Sequence, residues 1–226
     1  MTIKEAGVSL ASLSGVLDPL RQPLFTLLDT PVSWTEVLGF GSGALCVWLV
    51  ARQRTANWPI GIANNLLFVL LFTDSGLYAD AGLQIVFISL AAYGWWTWTH
   101  GGGPGSPGQE VGRTSRTEWL WLCAAGVVGT LALTVLLDRQ TDSTVPFWDA
   151  LTTGLSLMAT YGQCRKRLES WWLWIAADVV YVPLYAYKEL YLTSLLYVGF
   201  LALCCVGLRD WRRDLVPGAR TAGAMA

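Results

Sequence analysis

Charge is scarce in this chain. Only 14% of its 226 residues are Asp, Glu, Lys or Arg, 54% are hydrophobic, and the mean hydropathy is +0.45. So little charge excludes an ordinary soluble domain and points to an integral membrane protein. The 15 basic and 16 acidic residues form no basic tract, which excludes nucleic acid as a partner. Histidine occurs once, as His100, and the five cysteines at positions 46, 123, 164, 204 and 205 form no CxxC pair. Neither a zinc site nor a disulfide framework is expected, and no cofactor is implied. The HExxH and GxSxG patterns are missing, as is any Walker motif, so a membrane-embedded enzyme and a nucleotide-driven pump both lack their signatures. A sensor or scaffold would call for a soluble module, and the stretch 209–226 is too short for one. No Lys or Arg lies inside any long apolar run, which removes the usual means of holding a phosphate.

What the chain does have is seven apolar runs, at 34–51, 58–73, 80–98, 118–137, 147–164, 171–187 and 192–208. They predict an all-α membrane fold of seven transmembrane helices, although several runs fall short of the roughly 20 residues of a straight crossing. Residues 1–33 are broken by Pro19, Pro23 and Pro31 and read as an interfacial amphipathic arm. The Gly-, Pro- and Ser-rich stretch 99–117 reads as a flexible linker, and 212–226 as a tail. Part of the complement of 13 Trp suits membrane-interface belts. Arg52, Arg54, Arg113, Arg116, Arg165, Lys166, Arg167, Arg209, Arg212, Arg213 and Arg220 fall on one side of such a bundle. Lys4, Arg21, Arg139 and Lys188 fall on the other. That bias places the linker and the C-terminus in the cytoplasm and the N-terminus outside.

A shift of 113 positions lays 35–98 on 148–211 without a gap. It pairs Gly41 with Gly154, Arg52 with Arg165, Arg54 with Arg167, Trp58 with Trp171, Tyr78 with Tyr191, Gly94 with Gly207 and Trp98 with Trp211. Two three-helix units, 34–98 and 147–211, are therefore joined by a linking helix at 118–137. One intervening helix makes the units parallel, a transporter architecture with the substrate near the midplane between the halves.

Asp178 lies inside the apolar, aromatic run 171–187, where a carboxylate must face the protein interior or a water-filled cavity. Trp171, Trp174, Asp178, Tyr181 and Tyr185 follow steps of three and four and share one helical face. A single aromatic stripe is more often packing than a ligand site. Under the repeat, however, this stripe maps onto Trp58, Gly61, Asn65, Phe68 and Phe72, so a polar residue recurs at the same depth. Asn64 adds a second carboxamide beside Asn65, and Gln84 and its counterpart Tyr197 extend the polar layer. Such an aromatic face can stack a flat ring, and the amides and hydroxyls can hydrogen-bond its substituents.

The segments NWPIGIANN at 57–65, LYADAGLQ at 77–84, GWW at 94–96, FWDALTT at 147–153 and WWLWIAADVVYVPLY at 171–185 together resemble the PnuC family of bacterial nicotinamide riboside transporters. The resemblance covers about 34–211 and implies a three-plus-one-plus-three fold similar to the SWEET sugar transporters. It implies facilitated diffusion of an unphosphorylated vitamin across the bacterial inner membrane, trapping by a cytoplasmic kinase, and homotrimer assembly. Relatives of that family that carry thiamine or riboflavin keep those cargoes as alternatives. By the match of motifs, Trp58, Asn64, Asn65, Trp171, Trp174, Asp178 and Tyr181 fall at the family's substrate site.

Overall fold

The computed structural model describes residues 19, 22–27, 30–74, 76–101, 109–141 and 144–215. Seven helices dominate it: α1 (Trp34–Ala51), α2 (Asn57–Asp74), α3 (Tyr78–His100), α4 (Arg116–Gln140), α5 (Pro146–Cys164), α6 (Ser170–Tyr187) and α7 (Tyr191–Asp214). Each is 18–25 residues long, which at 1.5 Å per residue comes close to or exceeds the roughly 30 Å of a hydrocarbon core. Helix α4 and helix α7 are long and apolar enough to cross a membrane by themselves. The outward surface is apolar: Leu120, Trp121, Val127 and Val128 of α4 are all at least 60% exposed. Such a face belongs against lipid. The protein is a helical membrane protein.

The stretch expected to be an interfacial arm departs from that expectation where it is described. Pro23–Leu27 and Thr30–Ser33 form two antiparallel strands, β1 and β2, with Val32 buried and β2 packed on α1. Pro23 starts β1 and Pro31 lies in a two-stranded ribbon whose outer edges need no donor, so neither proline breaks the pairing. Except for Pro19 and Gln22, the arm before residue 23 lies outside the described residues. The linker also departs from a free chain. Residues 102–108 are outside the described residues, but Gly112 bridges Arg167, Val111 is buried, and the Thr114 N–H and hydroxyl both donate to Glu169 Oε2 at 2.8 and 2.9 Å. Ser115 caps α4 by accepting from the Glu118 N–H, and Glu118 pairs with Arg167 at 2.9 Å. The second half of this connection is thus fastened to the turn between α5 and α6. Beyond Leu215 the tail lies outside the described residues.

Packing closes six helices into a ring. In order around it stand α1, α2, α3, α5, α6 and α7, and α7 returns to α1, while α4 lies outside against α5. Local features recur 113 positions apart. Gln53 and Lys166 both take positive φ, 52° and 47°, and so do Gly76 and Glu189, 76° and 60°. Each ends a helix in the same way: Arg54 N–H donates to Leu49 O and Gln53 N–H to Val50 O, as Arg167 N–H does to Gly162 O and Lys166 N–H to Gln163 O. Where α3 meets α5 the Trp98 indole N–H donates to Gln163 O at 2.9 Å, and where α7 meets α1 the Trp211 indole N–H donates to Val50 O at 3.1 Å. Those two bonds exchange places under the same shift. The Trp58 ring lies over Gly94 and meets Trp98 edge-on at 5.3 Å; the Trp171 ring lies over Gly207 and meets Trp211 edge-on at 5.4 Å.

Candidate substrate site

A cavity of about 380 Å³ occupies the middle of the ring and takes side chains from all six of its helices. That volume lies within the range of small-molecule sites. It is lined by Trp58, Asn64, Asn65, Gln84, Trp171, Trp174, Asp178 and Tyr197, which are eight of the ten residues picked from the sequence. The two stripes reach it through their earlier turns, Trp58, Gly61, Asn65 and Phe68 from α2 and Trp171, Trp174 and Asp178 from α6. The remaining two sequence-selected residues, Tyr181 and Tyr185, stand beside it instead of lining it. They stack on each other at 5.6 Å, Tyr185 stacks on Tyr197 at 5.1 Å and Tyr181 meets Tyr197 tilted at 4.5 Å, so that a tyrosine cluster fills the space beyond Asp178. Behind that cluster Lys188 pairs with Asp149 at 3.0 Å and ties α5 to the end of α6.

Asp178 is 2% exposed and is the one acid among the lining residues. Its Oδ2 accepts from the Cys204 thiol at 3.5 Å, a weak donor that leaves most of the carboxylate's capacity open. No Lys or Arg is among the lining residues. Opposite Asp178 in the repeat, Asn65 is joined by Asn64, whose Oδ1 accepts from Ser42 at 2.9 Å. Both carboxamides line the cavity, so Asn64 is partly engaged by its own protein. Aromatic walls come from Phe68, Phe87, Phe200, Trp58, Trp171 and Trp174. Among the described residues, no group of His, Cys, Asp and Glu is arranged to hold a metal ion.

The sequence reading left out several lining residues: Asn57, Thr160, Gln163, Cys46 and Cys204, together with Phe87 and Phe200. The two phenylalanines correspond under the repeat, a signal that was present but lay off the chosen stripes. Asn57, Thr160 and Gln163 lie at helix termini, where periodicity over a span carries no weight. Among the described residues four buried polar atoms of lining residues have no hydrogen-bond partner: Asn57 Oδ1 and the indole nitrogens of Trp58, Trp171 and Trp174. Unpaired buried donors and acceptors are costly in a folded protein. The arrangement provides aromatic walls, one carboxylic acid and neutral hydrogen-bonding groups.

The family model described as nicotinamide mononucleotide transporter matches residues 33–213. The chain is 26% identical over 219 residues to the nicotinamide riboside transporter PnuC of Escherichia coli, covering 86% of this chain and 90% of that protein. It is 30% identical over 204 residues to the riboflavin/roseoflavin transporter RibM of Streptomyces davaonensis, covering 88% of this chain and 95% of that protein. A crystal structure of the vitamin B3 transporter PnuC superposes with a TM-score of 0.63 at 23% identity, covering 95% of this chain and 93% of that one, and so shares the fold. A match that spans the whole helical ring and its linking helix settles kinship: the chain belongs to the nicotinamide mononucleotide transporter family.

Proposed function

We propose that the protein carries nicotinamide riboside across the bacterial inner membrane by facilitated diffusion, without catalysing any reaction. The observation that carries this reading is Asp178, the one acid among the lining residues, set among aromatic walls. A pyridinium ring gains from both the carboxylate and the aromatic faces, while its carboxamide and ribose suit Asn65, Gln84 and Tyr197. With no Lys or Arg among the lining residues, the phosphate of a mononucleotide would be left unpaired. The unphosphorylated riboside is therefore the preferred cargo, even though the family's description names the mononucleotide. Riboflavin is the second reading, favoured by the 30% identity to the riboflavin/roseoflavin transporter.

The six-helix ring is read as two parallel three-helix units joined by α4. The exchanged indole bonds, the repeated helix endings and the two Trp-on-Gly contacts support that reading. The Lys and Arg bias supports a cytoplasmic C-terminus and an external N-terminus. Trapping of the cargo by a cytoplasmic kinase and homotrimer assembly belong to the same proposal and rest on the family resemblance alone. Cargo identity is tested by uptake of labelled nicotinamide riboside into liposomes containing only this protein, in competition with riboflavin, thiamine and nicotinamide mononucleotide. Nicotinamide riboside should compete fully and the mononucleotide weakly. Uptake blocked best by riboflavin would transfer the assignment to the second reading.

A further inference from the structure

The end of the bundle where α1 and α7 finish holds positive charge that the protein itself does not neutralise. Two open grooves meet there on the outer surface: one places Arg209, Arg212 and Arg213 beside Cys205 and Leu208, and the other places Arg52 of α1 beside Arg209 and Arg213. Four arginines share the two grooves with two acids, Asp210 and Asp214. Both acids are already engaged, since Arg209 pairs with Asp210 at 3.1 Å and the Gln53 side-chain amide donates to Asp214. Arg52 lies over the Trp48 ring at 5.9 Å. Among the described residues Arg52, Arg212 and Arg213 have no acidic partner. Arg52 and the α7 arginines are exposed, and they stand on either side of the α1–α7 contact that closes the ring.

The outward face of α7 changes character just before these arginines. Leu195, Val198, Ala202, Cys205, Arg209 and Arg212 follow steps of three and four and so form one stripe, apolar in its first four members and basic in its last two. Leu195 and Val198 are 65% and 45% exposed, and Ala202 and Cys205 are exposed too. From Leu195 to Arg209 the stripe runs about 21 Å along the helix, more than half of a roughly 30 Å hydrocarbon core. Its apolar part calls for an acyl chain and its end for an anion. A free phosphate would leave the apolar part unused, and a zwitterionic lipid would bring a second positive charge to the arginines. We propose that Arg209, Arg212 and Arg213, with Arg52 from α1, bind the phosphate headgroup of an anionic phospholipid whose acyl chain lies along Leu195, Val198, Ala202 and Cys205. Guanidinium forks match phosphate oxygens, and basic pockets between helices are a recurring form of lipid headgroup site. A headgroup held from both helices fastens the contact that closes the ring. The site depends on the membrane fold alone and is independent of the cargo.

The test is lipid binding to the purified full chain in detergent, counted lipid by lipid by native mass spectrometry. The probes are phosphatidylglycerol and phosphatidylcholine with the same acyl chains, and thermal midpoints show that each variant is folded. Phosphatidylglycerol should bind the wild type more tightly than phosphatidylcholine. Combining Arg209→Gln with Arg212→Gln should weaken phosphatidylglycerol by roughly ten- to thirtyfold, the worth of two arginines near a membrane surface, and leave phosphatidylcholine unchanged. Arg213→Gln is the single-site probe should the pair disturb folding, with a loss of roughly fivefold. The control combines Arg54→Gln with Arg116→Gln, which removes the same charge from exposed positions outside both grooves and should leave the preference intact. Equal losses in the test and control pairs would make the effect one of net charge and overturn the site, as would equal binding of the two lipids to the wild type. Inorganic phosphate that binds as tightly as phosphatidylglycerol and displaces it would overturn the lipid assignment in favour of a free anion. A wild-type oligomer that dissociates in the Arg209→Gln, Arg212→Gln variant, with no lipid preference in either protein, would make this face a contact between copies of the chain and overturn the proposal.

Discussion

Asp178→Asn should weaken nicotinamide riboside by about 2–5 kcal/mol, or roughly thirtyfold and more in dissociation constant, the loss seen when one partner of a buried charge pair is neutralised. The reduced, uncharged riboside should lose no more than about 1 kcal/mol, the worth of a neutral hydrogen bond. The asymmetry follows from the geometry. Asp178 is 2% exposed, its described partner is a thiol at 3.5 Å, and no cation is among the residues around the cavity. Asparagine keeps the shape and removes the charge, so a ligand that brings its own positive charge feels the change most. The comparison is made by titrating both ligands into folded variant and wild type. Affinities for both ligands that match the wild type in a folded variant would remove Asp178 from cargo binding and leave it an internal helix contact.

The second large effect concerns the floor beneath the two tryptophans. A Cβ at Gly207 would stand 2.4–2.6 Å from three ring carbons of Trp171, and one at Gly94 2.3–2.6 Å from the same carbons of Trp58. Each ring is held again one turn along the same helix as the glycine, where Trp211 meets the Trp171 ring and Trp98 the Trp58 ring edge-on. Gly207→Ala and Gly94→Ala should each destabilise the protein by about 1–3 kcal/mol, the usual cost of overpacking a filled core. Each should also impair cargo binding in the fraction that folds, because Trp58 and Trp171 line the cavity. Gly199→Ala on α7 and Gly82→Ala on α3 are the controls. A Cβ there meets nothing within 4 Å, so alanine's higher helix propensity should leave stability equal or higher by about 1 kcal/mol. Thermal midpoints in one detergent decide between them; a Gly207→Ala protein that melts with the wild type would mean that the Trp171 ring does not hold its position by this contact.

The parts of the fold that were legible in the sequence are those governed by long apolar runs. Seven runs became seven helices because, in lipid, an apolar stretch has no other way to satisfy its backbone. Boundaries drifted where helices extend into polar residues with a local reason to be helical: Ser115 and Glu118 start α4 two residues before its apolar run, and α7 carries its arginines out to Asp214. The β1–β2 ribbon was not legible, since five- and four-residue strands beside prolines leave too short a pattern. The fastening of residues 109–115 was hidden for a different reason. It depends on Glu118, Arg167 and Glu169, whose partners are distant in sequence.

The site shows the same division. Trp174 and Asp178, with Asn65 opposite, announced themselves by spacing and by polarity out of place. Tyr181 and Tyr185 share that spacing but lie farther along α6, where Tyr197 comes within 4.5 and 5.1 Å and claims their faces. A helical stripe fixes which side of a helix a residue occupies, and the neighbouring helix decides where along it the space stays open. Asn57 could not be found from the stripe because it lies one residue before Trp58, at the very start of α2. Its unpaired oxygen is a property of the packed ring alone.

The most direct test of the carrier reading is the end point of transport. Liposomes containing only this protein, given nicotinamide riboside outside and no ion gradient, should fill until the inner and outer concentrations are equal and then stop, and preloaded vesicles should empty to the same level. Accumulation beyond equality under an imposed proton or sodium gradient, with the membrane potential clamped, would contradict facilitated diffusion and require a coupling site in the bundle.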